Sequence, residues 1–240
     1  MTQIDLAPAG LRMAALVAAV PDELLGAPTP CPAYCVGDLL DHIAGLATAF
    51  SAAARKDTGP DSESTPHGDR SRLSDDWRSD IAAGLSQLTD AWRSPAAWSG
   101  VTRVGGVVLP GEVCGLVGLN ELVVHAWDLG RATGQPVNAE PEVIRALLPM
   151  LDQFSPPIDA PRGDGPFGPR FPVSSGAPLL DQLVGLAGRD PSWSPATARG
   201  WARGRAPCAT ACSSRPHWAR TARGCLPTRR DRSTRITHSG

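Results

Sequence analysis

The chain has 240 residues, 42% of them apolar and 20% charged, with a formal net charge of −1 at pH 7. This size and balance predict a globular protein with one main hydrophobic core, and Gly, Pro or charge interrupts every apolar run well before the roughly 18 residues of a membrane span. Residues 1–5 lack the basic start of a signal peptide, so we predict a cytoplasmic protein with reduced cysteines.

Apolar residues recur at helical spacing along most of the chain as far as residue 193. Helices are predicted over residues 6–20, 36–55, 73–92, 112–133, 141–154 and 177–187. The polar stretch at 57–72 predicts a mobile loop. Residues 98–109 have β-type residues around Gly105 and Gly106, which predicts a hairpin. This inventory predicts an all-α helical bundle with a small hairpin and extra C-terminal helices.

Charge divides the chain into two parts. Residues 194–240 hold ten Arg and one acid, Asp231, for a net charge of +9, which leaves −10 for residues 1–193. Helical periodicity also ends at Trp193, so we predict a folded domain over 1–193 and a disordered tail over 194–240. The composition of this tail is also what a frameshifted reading of GC-rich DNA would produce.

The tail contains four residues of metal-ligand type, namely Cys208, Cys212, His217 and Cys225. They lack the closely spaced cysteine pairs of structural zinc modules, so we do not interpret them as a zinc site. Arginine can contact nucleic acid through charge alone, but no recognition motif accompanies it, and we expect no specific nucleic-acid binding. Cys31 and Cys35, further upstream, flank a Pro-containing loop and are interpreted as thiols rather than metal ligands.

A carboxylate and an imidazole stand four residues apart in the helix predicted at 112–133. An α-helical turn takes about 3.6 residues, so Glu121 and His125 lie on one face. His42, in the helix predicted at 36–55, is a third ligand type, and three protein ligands with one open position are typical of catalytic zinc centres. An exposed Glu–His contact and a hydrogen-bonded core histidine are the alternatives, although apolar neighbours favour burial, which a metal would compensate.

Three blocks of sequence together resemble a known family. They are residues 29–32 with 36–42, residues 121–129, and residues 181–193. In this order they resemble the metal-binding domain of mycothiol-dependent maleylpyruvate isomerases, within the DinB-like superfamily, over residues 5–193. Tyr34 stands where Trp is typical and Cys35 where Thr is common. The isomerase also has a further C-terminal domain, to which residues after Trp193 show no likeness.

The resemblance implies a DinB-like four-helix bundle with a long crossover. It also implies a divalent metal ion, usually zinc, held at the positions of His42, Glu121 and His125, and mycothiol as the thiol cofactor. We therefore predict a metal-dependent thiol transferase or isomerase in which the metal lowers the pKa of a small thiol that attacks a small electrophilic substrate. The alternative is a non-catalytic metal-binding or structural helical bundle.

Other polar residues have less certain roles in the sequence. Asp128, three residues after His125, is placed either to accept a hydrogen bond from the imidazole and so fix its tautomer, or to contact Arg131. Asp41, beside His42, has the same two alternatives. Arg78 and Arg131 are candidates for a group that polarises the substrate. Neither the substrate nor the oligomeric state follows from the sequence.

Overall fold

The structure, a computed structural model, describes residues 3–63, 65–161 and 168–195. They form a mainly helical protein with one two-stranded sheet, as the sequence predicts. The helices are α1 (Ala7–Ala18), α2 (Val36–Arg55), α3 (Pro60–Glu63), α4 (Trp77–Ala91), α5 (Pro95–Trp98), α6 (Gly111–Thr133), α7 (Pro141–Phe154) and α8 (Leu179–Leu186). The strands are β1 (Val101–Val104) and β2 (Val107–Pro110), and single 3-10 turns occur at Asp22–Leu24 and Arg70–Arg72. Most of the predicted tail, 196–240, lies outside the described residues.

Four long helices, α1, α2, α4 and α6, form the central bundle. Both α1 and α2 pack against α4 and against α6, which places α1 and α2 at opposite corners. The connection between them, residues 19–35, therefore crosses the bundle, and so does the connection from α4 to α6, residues 92–110. The buried faces meet in a core that includes Met13, Leu39, Ile43, Leu85 and Leu119. Each such side chain contributes roughly 1.5–3 kcal/mol through removal from water.

Close packing between α2 and α6 depends on a glycine. A Cβ atom at Gly118 would lie 2.9 Å from the ring of Phe50, so only glycine lets the ring lie against α6. The backbone carbonyl of Phe50 accepts a hydrogen bond of 3.0 Å from the buried indole of Trp92, just after α4. The packing of Phe50 on Gly118 therefore joins the two helices that carry the predicted metal ligands, and the Trp92 hydrogen bond joins α2 to the end of α4.

The hairpin forms as predicted. Strands β1 and β2 are antiparallel, and Val104 pairs with Val107 across a two-residue turn. Gly105 and Gly106 have φ angles of +57° and +78°, the left-handed region that tight hairpin turns require and that glycine adopts without strain.

The segment predicted as a mobile loop, 57–72, is more ordered than the sequence suggests. It contains α3 and a 3-10 turn, and its second half lies along α2. The backbone amide of Asp69 donates to Asp41, and that of Arg70 donates to Asp38, at 2.9 and 3.0 Å. The following helix begins at Trp77 and not at residue 73.

The C-terminal helices pack beside the bundle, α7 against α6 and α8 against α7. Helix α8 ends at Leu186, and Gly188, with a φ of +79°, then reverses the chain. The amide of Arg189 donates to the carbonyl of Val184, back in the helix. This is a glycine-terminated helix end of Schellman type. None of the helices within the described ranges is both long and apolar enough to cross a membrane.

Candidate metal centre

The three predicted ligands come together between α2 and α6. His42 lies in the second turn of α2, and Glu121 and His125 lie one turn apart on α6. One donor atom from each residue lies within 4.8 Å of those of the other two. The side chains of His42, Glu121 and His125 are 12%, 20% and 6% exposed, so the cluster is largely but not completely buried.

The distances inside the cluster are short. Nε2 of His125 lies 3.0 Å from Oε2 of Glu121, and Nε2 of His42 lies 3.9 Å from the same oxygen. The two imidazole rings are perpendicular, with centroids 5.0 Å apart. Ligands that each lie about 2.0–2.1 Å from a tetrahedral zinc ion are about 3.3 Å from one another. The two nitrogen–oxygen distances observed here, 3.0 and 3.9 Å, lie on either side of this ligand–ligand distance.

Nδ1 of each histidine, the ring nitrogen that faces away from the cluster, makes a hydrogen bond that fixes the orientation of the ring. Nδ1 of His42 donates to the carbonyl of Pro66 at 3.0 Å, and Nδ1 of His125 donates to Oδ2 of Asp128 at 3.0 Å. With the proton on Nδ1, Nε2 of each ring faces the cluster, and its lone pair is available to a cation whenever Nε2 carries no proton. The ring of Tyr34 packs on His42 with centroids 4.9 Å apart.

A buried arginine supports Asp128, whose side chain is fully buried. Nη2 of Arg189 lies 2.9 Å from Oδ2 of Asp128, and Nε lies 3.4 Å from Oδ1. Burial opposes the charge of both groups. The attraction between them outweighs that cost, so the pKa of Asp128 is lowered and that of Arg189 is raised.

The pKa values of the two histidines are shifted in opposite directions. Burial removes water from His42 and the neighbouring His125 repels its proton, which lowers the pKa of His42 to about 3. Burial also disfavours charge on His125, but hydrogen bonds to Asp128 and Glu121 prevail and raise its pKa to about 9. Burial acts to raise the pKa of Glu121, yet the bond to His125 and its charge keep it below the usual value.

The structure shows which contacts are made by the residues for which the sequence leaves two alternatives. Asp128 supports His125, as one of the two alternatives predicts, whereas Asp41 contacts Arg72 and the loop amide of Asp69. Arg131 donates to the carbonyls of Pro191 and Trp193.

The guanidinium of Arg78 contacts Asp22 and the carbonyl of Val20, so neither arginine proposed to polarise a substrate has its described contacts at the centre. Cys35 contacts Asp38 through its thiol, and the donor cluster contains neither Cys35 nor Cys31.

Two supports of the centre were not predicted from the sequence. Arg189 lies in the third block of resemblance, residues 181–193, but its position in the sequence does not indicate a contact with Asp128. The Pro66 carbonyl is a backbone atom in a segment read as loop, so no side-chain pattern marks it. Only the tertiary contacts identify both.

One cavity among the described residues lies away from this cluster. It has a volume of about 290 Å³ and is lined by Trp98, Glu112 and Leu116 among others, at the opposite end of α6. None of the three clustered ligands lines it.

Comparison with known proteins places the chain in a family. Residues 6–130, more than half of the chain, match the family described as mycothiol maleylpyruvate isomerase N-terminal domain. The chain belongs to this family. All three clustered ligands and Asp128 lie within the matched residues, and Arg189 lies beyond them. The predicted resemblance is thereby confirmed.

The chain is also similar to an uncharacterised protein of Mycobacterium tuberculosis, found in two strains. It is 29% identical over 188 residues, which cover 73% of this chain and 91% of the relative. Among solved structures, the mycothiol-dependent maleylpyruvate isomerase is 20% identical with a TM-score of 0.42, and a histidine-to-alanine mutant is 17% identical with a TM-score of 0.43. Each match covers 63% of this chain and 67% of the solved chain.

The residues present fit a divalent metal ion of zinc type. Two imidazole nitrogens and one carboxylate oxygen converge, and both imidazoles are oriented by acceptors on their far side. This donor set is common in catalytic zinc sites, where a fourth position is left for water or substrate.

Proposed function

We propose that this protein binds one divalent metal ion, zinc by preference, through His42, Glu121 and His125. The observation that carries the proposal is the convergence of three donor atoms within 4.8 Å in a largely buried site. The imidazoles and the carboxylate suit zinc better than magnesium or calcium, which prefer oxygen ligands throughout.

We further propose that the site serves a reaction between a small thiol of the mycothiol type and a small electrophile, as a transferase or isomerase. Membership of the family supports the choice of thiol. A bound zinc-type ion supplies Lewis acidity, which favours the thiolate form of a thiol at neutral pH. No residue described here independently specifies a mycothiol pocket.

The residues of the chain prepare the site in three ways. Pro66 and Asp128 hold the Nδ1 protons of His42 and His125, so that Nε2 of each ring faces the centre. Glu121 contributes a negative charge that offsets part of the charge of a cation. The ring of Tyr34 packs against the ring of His42, with centroids 4.9 Å apart, and so restricts the rotation of the imidazole.

One observation favours a second candidate, a non-catalytic structural bundle. His125 lies between Asp128 and Glu121, at 3.0 Å from each carboxylate. A charged imidazole in that position would be satisfied without any metal, and the cluster would then be a buried ion-pair network.

Elemental analysis distinguishes the two candidates. The purified full chain should contain about one divalent ion per molecule, and His125→Ala should lose most of it because two ligands compete poorly with solvent. Glu112→Gln, which alters an exposed acidic residue in the first turn of α6 and outside the donor set, serves as control. Equal metal content in wild type and His125→Ala would reject the proposed site.

Activity is then tested on protein of known metal content. A panel of small electrophiles is incubated with mycothiol or with glutathione, and thiol consumption and product formation are followed. We expect turnover that depends on the metal and is lost in His125→Ala. Metal-loaded protein without turnover on any electrophile would favour the non-catalytic alternative.

A further inference from the structure

Arg189 lies outside the family-matched residues 6–130, and it contacts Asp128 beside the candidate metal centre. Its side chain is 13% exposed, and its described hydrogen bonds go to Asp128 and to the carbonyl of Ala187. Both oxygens of Asp128 are engaged, at 2.9 and 3.4 Å. The paired contacts leave the carboxylate little freedom to rotate, since a guanidinium presents its donors in a planar fork.

The backbone after α8 places this arginine. Gly188 adopts φ +79°, and a Cβ atom there would lie 2.9 Å from the carbonyl of Pro169. Only glycine makes this reversal without strain, and Arg189 follows it at once. The turn therefore directs the side chain back toward α6.

On the basis of the proposed metal site, we propose that Arg189 is a positioning residue that sets metal affinity through Asp128. Arg189 orients the carboxylate, the carboxylate holds the Nδ1 proton of His125, and Nε2 of His125 is thereby aimed at the centre. The segment 168–195 then completes a site whose ligands all lie within the family-matched region 6–130.

The physical reason lies in the buried carboxylate. Asp128 has no exposure, so its orientation depends on protein partners and not on water. Without Arg189, the carboxylate is free to rotate away from His125, and the imidazole loses its fixed tautomer and ring angle. Partners of this kind behind a metal ligand are typically worth about 10–100-fold in metal affinity.

Arg131, on the same helix as Asp128, provides a matched control for Arg189. It also ties α6 to the C-terminal segment, by donating to the carbonyls of Pro191 and Trp193, but its described hydrogen bonds include no carboxylate of the centre. Loss of either arginine removes a link between the same two parts of the chain. Only loss of Arg189 removes the support of Asp128.

The test measures the zinc dissociation constant of the full chain by competition with a chromophoric chelator. Arg189→Ala should weaken binding by about 10–100-fold, and Arg189→Lys, which keeps the charge but not the fork, should weaken it less. Arg131→Ala should leave the constant unchanged within error. Thermal melting of the metal-free proteins reports any general loss of stability.

Two further measurements separate positioning from a structural effect. In an Asp128→Asn background, Arg189→Ala should have little additional effect on zinc affinity, because both substitutions interrupt the same chain of contacts. The visible spectrum of Co²⁺-loaded protein should change in Arg189→Lys and not in Arg131→Ala, which keeps the test valid if Arg189→Ala does not fold.

The outcomes are distinct. If the wild type binds no zinc, the proposed function itself is rejected. If the wild type binds zinc and both Arg189 variants bind it equally well, only the role of Arg189 is rejected. Equal weakening by Arg189→Ala and Arg131→Ala, or full additivity with Asp128→Asn, also rejects it.

Discussion

Nδ1 of His125 lies 3.0 Å from Oδ2 of Asp128, one turn further along the same helix. Glu121 stands one turn before His125 on that face, at 3.0 Å from Nε2. One rigid helix therefore carries two candidate ligands and the support of one of them. Because backbone hydrogen bonds within α6 maintain these separations, the centre requires only His42 to be brought from elsewhere.

Glu121→Gln should remove most of the bound metal. The amide keeps the shape of the side chain but loses the negative charge that offsets a cation, so affinity falls while the helix remains intact. Glu112→Gln, at the exposed start of the same helix, is the matched control and should retain the metal. Metal content by elemental analysis after dialysis checks this, and retention of the ion by Glu121→Gln would contradict it.

Asp38→Ala should destabilise the start of α2. Oδ2 of Asp38 accepts from the amide of Cys35, 3.1 Å away, and Oδ1 accepts from the amide of Arg70 at 3.0 Å. Loss of such a capping interaction costs about 0.5–2 kcal/mol. Urea unfolding monitored by circular dichroism measures the change. Asp57→Ala, which alters an exposed pair with Arg55 at the other end of α2, should have a much smaller effect.

Cys114 should resist alkylation in the native protein. Its side chain is fully buried in α6, and burial raises the pKa of the thiol to about 12. The reactive thiolate is therefore scarce below that pH in the folded state, whereas an unfolded cysteine ionises near its ordinary pKa of about 8.5. Peptide mass mapping after iodoacetamide at pH 8.5 should find Cys114 unmodified without urea and modified in urea. Rapid native labelling would contradict this assignment.

The predicted domain boundary at Trp193 is testable by truncation. A fragment of residues 1–193 should melt close to the full chain and keep its metal, because it retains Arg189 and its contact with Asp128. A fragment of residues 1–187 loses Arg189 and should leave Asp128 buried without its cation, which lowers both stability and zinc affinity. Thermal melting and metal analysis are compared side by side. A large loss in the 1–193 fragment would move the boundary into the tail.

Several elements of the fold follow from the sequence because their causes are local. The spacing of apolar residues predicts α1, α2, α6 and α7 to within a few residues, and the Gly105–Gly106 pair predicts the hairpin turn. The boundaries of α4 and the order within 57–72 are predicted less well. There the chain is held by contacts with α2, which a local pattern does not contain.

The sequence by itself determined which residues are available to the centre. Helical spacing places Glu121 and His125 on one face, His42 is a third ligand type on a second predicted helix, and the resemblance implies that the three act together. Tertiary structure alone decided that Nε2 of His42 lies 3.9 Å from Glu121, that a carbonyl of Pro66 orients it, and that Arg189 reaches Asp128 from 61 positions along the chain. Periodicity tells which face of a helix is buried but not what it meets, because long-range contacts depend on how the connecting turns, such as that at Gly188, direct the chain in space.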